Sequence, residues 1–205
     1  NDEISVGAGN DNVFGGDNND TIDGGDGSDP LDGQRGADTV RGGDGNDTIT
    51  GGFNDFTGDL LLGEDGDDLI SVFRFDTVTG GAGTDTFRVT GGLAQDAVIT
   101  DLETDETIIF LTRRFGVENV TETVVAGGVN LLIDTNRDGI VDVEFTIEGY
   151  APGDFAYGGT DISSDSTTIR IAPANGSGTP SQNNDLLFGD AVANTISALE
   201  GEDTL

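Results

Sequence analysis

An aspartate returns at a fixed interval through the first part of this chain, and an apolar residue follows each one at a fixed distance. The aspartates are Asp2, Asp11, Asp20, Asp29, Asp38, Asp47, Asp59, Asp68, Asp76 and Asp85. They are spaced nine residues apart, except for one interval of twelve and one of eight. Two positions after them stand Ile4, Val13, Ile22, Leu31, Val40, Ile49, Leu61, Ile70, Val78 and Phe87. Only 34% of the chain is hydrophobic, so an unbroken apolar column at these slots is not chance. Glycine-rich runs precede the aspartates, as in Gly15-Gly16-Asp17-Asn18-Asn19-Asp20 and Gly42-Gly43-Asp44-Gly45-Asn46-Asp47. Paired glycines mark backbone that needs positive φ or has no room for a Cβ. A tight turn, then a short strand with one inward apolar residue, makes half a coil. One such unit cannot bury its apolar side chain alone, and stacked units can. The pattern therefore predicts a parallel β-solenoid over residues 1–88.

Stacking creates an electrostatic problem. Equivalent carboxylates in successive coils lie about 4.8 Å apart along each edge, a spacing at which like charges repel strongly. The whole chain has 40 acidic residues against 8 basic ones, a net charge of −32. An acidic, glycine-rich composition on its own also describes a solvated, disordered tract. The positional order argues instead for a fold that needs a counter-ion. Oxygen-only donors on flexible loops suit Ca²⁺ rather than Zn²⁺ or Mg²⁺.

Composition excludes several functions. The chain has no Cys and no His, so it offers no disulfide framework, no ordinary zinc site and no His-dependent nucleophilic catalysis. Its charge repels phosphate backbones and anionic lipid, which argues against nucleic acid as a partner. No apolar run reaches the length needed to span a bilayer, so membrane insertion is not expected. Carboxylates are plentiful, but nothing isolates a pair for glycosidase-type chemistry. The chain is not expected to be an enzyme.

The rows at 15–23, 24–32, 42–50, 63–71 and 80–88 resemble the RTX, or hemolysin-type, calcium-binding nonapeptide repeat GGxGxDxUx. The resemblance implies a parallel β-roll with Ca²⁺ held between turns two repeats apart. Its ligands would be the sixth-position carboxylates and loop carbonyls. On this chain it nominates Asp11, Asp20, Asp29, Asp38, Asp47, Asp59, Asp68, Asp76 and Asp85, with carbonyls of residues such as Gly16, Gly25, Gly43 and Gly81. Multiple calcium ions are implied, about five to seven. Some rows depart from the pattern. Gln34 replaces a second glycine, and Pro30 is expected to interrupt the third row's strand. Extra residues near 51–53 break the register, and row 72–79 lacks its glycines.

Past Phe87, glycine and aspartate thin out and short β-branched runs take over at 97–100, 106–111, 119–126, 130–134 and 141–149. These predict a small antiparallel β unit over 89–160 that closes the open end of the roll. The run from Gln95 to Glu106 looks like the segment that follows RTX rows in secreted proteases. Asp134, Asn136, Asp138 and Asp142, with Gly139, match the first part of an EF-hand loop, although Phe145 stands where its bidentate Glu belongs. A weak calcium site and a plain hairpin turn both fit these residues.

Residues 161–183 read as a linker with one short strand at 167–171. The spacing then returns at Asp185, Asn194 and Asp203, which predicts the start of a second roll over 184–205. The fold expected is all-β: a parallel β-roll, a small antiparallel unit, and the start of another roll. Because the pattern is running at both ends, the chain is expected to be a piece of a longer protein. The resemblance implies a secreted module, exported by type I secretion, that folds when it meets extracellular calcium. Its expected setting is a surface-layer, adhesin or matrix protein, with neighbouring repeats, self-association or cell-surface polysaccharide as candidate partners. The alternatives are a non-catalytic module of an exoenzyme such as a protease, lipase or alginate epimerase, and a carbohydrate-binding module.

Overall fold

The computed structural model describes residues 1–53, 56–89, 96–103, 106–110, 120–134, 140–151, 155–158, 167–168 and 170–173. The nonapeptide rows alternate between two facing parallel sheets. One holds β1 (Glu3–Ala8), β3 (Thr21–Asp26), β5 (Thr39–Asp44), β7 (Leu60–Asp65) and β9 (Thr77–Ala82). The other holds β2 (Val13–Asp17), β4 (Pro30–Arg35), β6 (Thr48–Thr50), β8 (Leu69–Val72) and β10 (Thr86–Val89). Two rows complete one coil, so each strand pairs with the next but one, as in Ile22↔Val40 and Ile49↔Ile70. This is the parallel β-roll that the nine-residue spacing predicts.

Burial follows the predicted apolar column. Val13, Ile22, Leu31, Val40, Ile49, Leu61, Ile70, Val78 and Phe87 are all buried, and Ile4 packs partly against them. Val72 and Val89 add a second inward residue to the later rows. Each side chain is small, and the stacked ladder shared by two sheets is what removes them from water.

The irregular rows are absorbed in the turns. Across the twelve-residue interval, Val40 still pairs with Leu61, and across the short row Leu61 pairs with Val78. A one-residue slip would turn every inward side chain outward, so register is kept at the turn's expense. Gln34 and Glu64 take the second-glycine position at φ 74° and 78°, a left-handed conformation that costs a non-glycine residue about 1 kcal/mol. Glu64 pairs with Arg41 one coil earlier at 3.1 Å. Pro30, expected to interrupt its strand, instead begins it. In other rows the N–H at this position donates to the aspartate carbonyl one coil back, as in Thr21 to Asp2 (2.8 Å) and Thr48 to Asp29 (2.9 Å). Proline forgoes that one bond and is tolerated at a strand's first residue.

The antiparallel unit is narrower than expected. β11 (Ala97–Ile99) and β12 (Thr107–Phe110) continue the roll, pairing in parallel with β9 and β10 respectively. Ile99 and Ile108 are buried and extend the inward ladder, which is why these strands stack rather than fold back. The antiparallel part is the meander of β13 (Val120–Val125), β14 (Gly128–Ile133) and β15 (Val143–Glu148). β15 also pairs in parallel with β11, giving a nine-stranded sheet. Its buried Phe145 and Ile147 join the roll's core. In the region read as linker, β17 (Thr167–Thr168) pairs with β12. β16 (Phe155–Gly158) pairs with β18 (Arg170–Pro173). The expected second roll at 184–205 lies outside the described residues.

The shared core makes a stability prediction. Ile70→Ala should cost about 2–5 kcal/mol in denaturant unfolding with calcium saturating. Phe14→Ala, on the outer face, should change stability by less than about 0.5 kcal/mol. Equal effects would contradict the two-sheet core.

Candidate metal centre

The row aspartates form two columns, one on each edge of the roll: Asp2, Asp20, Asp38, Asp59 and Asp76, and Asp11, Asp29, Asp47, Asp68 and Asp85. From Asp20 onward each is buried, at most 4% exposed. Each Oδ1 accepts the backbone N–H of the column aspartate one coil earlier. Asp11 donates to Asp29 (2.7 Å), Asp29 to Asp47 (2.8 Å), Asp47 to Asp68 (2.8 Å) and Asp68 to Asp85 (2.8 Å). On the other edge Asp2 donates to Asp20 (2.6 Å), Asp20 to Asp38 (2.7 Å), Asp38 to Asp59 (2.8 Å) and Asp59 to Asp76 (3.1 Å). The carboxylates therefore hold the coils together before any ion is considered.

A second polar ladder runs the opposite way and escaped the sequence reading. The side-chain oxygen just before the column residue accepts the backbone N–H of its counterpart one coil later. Asn1 accepts from Asn19 (3.0 Å), Asn19 from Ala37 (3.2 Å), Asn46 from Asp67 (3.1 Å) and Asp67 from Thr84 (2.8 Å). The signal was the recurring Asn-Asp dipeptide at 1–2, 10–11, 19–20 and 46–47.

The other carboxylate oxygen decides whether a cation fits. Oδ2 of Asp20, Asp29, Asp47, Asp68 and Asp85 is inaccessible to solvent and has no hydrogen-bond partner. A buried charged acceptor left this way is costly. The space beside it is kept open by glycine. A Cβ added at Gly24 would lie 2.7 Å from Asp29 Oδ2 and 2.6 Å from the Gly42 carbonyl oxygen. One added at Gly15 would lie 3.0 Å from Asp20 Oδ2 and 2.7 Å from the Gly33 carbonyl oxygen. Each such space is a cradle bounded by a carboxylate and a carbonyl. No three acidic side chains converge among the described residues, so carbonyls must complete any coordination shell. That donor set fits Ca²⁺, which takes six to eight oxygens, carbonyls included.

Burial governs the protonation of these groups. It pushes the Asp47 carboxyl up to about 6 and Asp68 to about 7, with neighbouring column carboxylates adding to the rise. Asp85 is raised as well, first by burial.

The nominated residues are not equivalent. Oδ2 of Asp76 accepts the Phe73 N–H at 2.8 Å, so backbone donors serve both of its oxygens. This is the row that lost its glycines. Asp11 is only half-buried. A Cβ added at Gly25, Gly43 or Gly81 would collide with the carbonyl of Gly7, Gly25 or Glu64 respectively, and one added at Gly16 would meet nothing. The carbonyls beside the orphaned oxygens belong to the first glycine of each pair, such as Gly33, Gly42 and Gly63. Asp134 and Asp142 flank the hairpin joining β14 to β15, closed by Asp142 N–H donating to the Ile133 carbonyl at 2.9 Å. Asn136 and Asp138 lie outside the described residues.

Two facing parallel sheets edged by carboxylate columns define a repeat-built β-roll. The RTX calcium-binding nonapeptide repeat family matches in four copies, at residues 1–31, 23–55, 74–92 and 181–205. These stretches are RTX repeats, and the chain carries a calcium-binding RTX segment. The last copy falls where the spacing predicts a second array. A search of curated proteins found no match. Among solved structures, the chain is similar to the AlgE6R3 subunit of the Azotobacter vinelandii mannuronan C5-epimerase. Sequence identity is 19% and the TM-score 0.32, over 70% of this chain and 73% of that one.

Two outcomes follow for the chelated and loaded chain. Raised folded-state values mean that Asp47 and Asp68 contribute stability to the metal-free roll fully below about pH 4, and that this contribution is lost as pH climbs through 6 to 7. In chelator, acidification from pH 8 to 5 should therefore increase β-structure by far-ultraviolet circular dichroism. Gly24→Ala, whose methyl would fill the cradle at Asp29, should weaken calcium binding at that seat at least tenfold by calorimetry. An unchanged isotherm would mean that the cradle is not a seat.

Proposed function

We propose that this chain is an extracellular, calcium-dependent structural module that folds after secretion and serves a larger surface-layer, adhesin or matrix protein. The observation that carries this reading is the run of buried, unpartnered Asp oxygens beside glycine-bounded carbonyls. Bound Ca²⁺ would supply positive charge to these oxygens and so remove the penalty of burying them. Asp20, Asp29, Asp47, Asp68 and Asp85, with the Gly33, Gly42, Gly63 and Gly80 carbonyls, are the residues to hold it. Where calcium is scarce, column repulsion and a net charge of −32 keep the chain open. Where it is plentiful, binding energy becomes folding energy. The absence of Cys suits a chain that needs no oxidative step after export. Among the described residues no helix is long and apolar enough to cross a membrane. The module's role is structural rather than catalytic. A further repeat copy at 181–205 supports a tiled arrangement of rolls and inserts.

The test is light scattering on the chain from chelator to about 10 mM Ca²⁺, with Mg²⁺ as the control. Chain-size scaling gives a radius of gyration of roughly 50 Å open and roughly 17 Å compact. Calcium should drive the collapse, magnesium should not, and Asp47→Asn with Asp68→Asn should move the midpoint to about tenfold more calcium. A size that stays large, or one already compact in chelator, would end the proposal. Growth into particles after collapse supports a lattice role, whereas a monomer at saturation argues against self-assembly.

A further inference from the structure

The column on the Asp85 edge does not stop at the last nonapeptide. Thr107 N–H donates to the Asp85 carbonyl at 3.0 Å, as Thr86 N–H does to Asp68 at 2.8 Å. Glu106 therefore stands where the next column aspartate would be, although no glycine turn precedes it and it lies outside the four repeat copies, the third of which ends at residue 92. Its side chain is buried, 3% exposed. Oε2 accepts the Glu103 N–H at 2.6 Å. Oε1 is inaccessible and no N–H or hydroxyl donor reaches it, and the same holds for Asp85 Oδ2, so only a carboxyl proton shared between the two could serve them.

These two carboxylates face each other. Burial first, then the side-chain hydrogen bond and charge of Asp85, pushes the Glu106 carboxyl up to about 8, while burial raises Asp85 against the lowering effect of that same hydrogen bond. The Asp101 carboxylate adds negative charge nearby while accepting the Gly80 and Gly81 N–H groups at 2.8 Å each. In earlier coils the space beside the column oxygen is also bounded by a carbonyl from the next coil, such as Gly63 for Gly42 and Gly80 for Gly63. At Gly80, the three atoms nearest an added Cβ belong to Asp85 and Phe87, and no carbonyl is among them.

We propose that Asp85 Oδ2 and Glu106 Oε1 form a terminal calcium seat, with Glu106 as a ligand from outside the nonapeptide rows. The seat rests on the calcium reading of the columns. It brings two carboxylates to one ion, and a higher ligand charge tightens calcium binding. Through β12 it ties the end of the roll to β17, so the seat couples the last coil to the segment beyond it.

Calorimetry of calcium binding to the full chain tests this, comparing the wild type with Glu106→Gln and Asp29→Asn. Glu106→Gln should bind one calcium ion fewer and leave the remaining sites unchanged. Hydrogen exchange at residues 107–109 should then lose its calcium dependence. Unchanged stoichiometry in Glu106→Gln, with a loss in Asp29→Asn, would overturn the seat and leave the repeat columns standing. A wild type that binds no calcium would overturn both readings. If Glu106→Gln fails to fold, the wild-type Glu106 carboxyl ¹³C resonance decides. It should shift as calcium saturates, and a resonance unmoved by calcium would overturn the proposal.

Discussion

The roll is organised around a buried carboxylate that is only half satisfied. One oxygen of each regular column aspartate takes a backbone N–H from the coil before it, at 2.6–3.1 Å along both edges. That bond sets the coil-to-coil register at the turns, where strand pairing alone is weakest. The other oxygen is sealed from water, and at Asp29, Asp47 and Asp68 it has no protein partner. Turn, glycine and apolar column all follow from this arrangement. The turn must be tight to aim the carboxylate inward, glycine must stand where any Cβ would collide, and the strand must be short enough to repeat every nine residues.

The two edges are not used alike. The edge carrying Asp29, Asp47, Asp68 and Asp85 keeps a glycine-paired turn in most rows, with Glu64 as a substitute. The other edge carries both irregular turns, and there Phe53, Phe56 and Phe75 are exposed. Arg74 lies over Phe56 and Phe75 at 5.5 and 5.8 Å from the ring centroids. Insertion and deletion are tolerated on that edge because the strands between them hold register through buried Leu61 and Val78. Asp76 shows how the column adapts when its glycines are lost: a backbone N–H from Phe73 takes the oxygen that a cation would otherwise occupy.

The parts legible in the sequence were those written as a period. The aspartate spacing and the apolar residue two positions on gave the two sheets and the inward ladder, because a repeat multiplies a weak local signal. The strands at 97–99 and 107–110 were seen, but their direction was not. A short β-branched run reads the same in a parallel or an antiparallel pair, and the roll's stacking edge chose for β11 and β12. Glu106 was hidden because it has the wrong residue type and no glycine turn; only its register against Asp85 reveals it. Pro30 misled because a proline's effect depends on whether its missing N–H was needed, and here a single ladder bond was at stake. The strand at 155–158 lies within the span read as the antiparallel unit, and its pairing with β18, in the span read as linker, was not legible because neither short run names its partner.

The most direct measurement of the central claim is an anomalous difference map from crystals grown in calcium. The account predicts peaks within about 2.3–2.6 Å of Oδ2 of Asp29, Asp47 and Asp68, each also touching a carbonyl of a first glycine. A folded roll with no peaks at these oxygens, and with protons or water satisfying them instead, would contradict it.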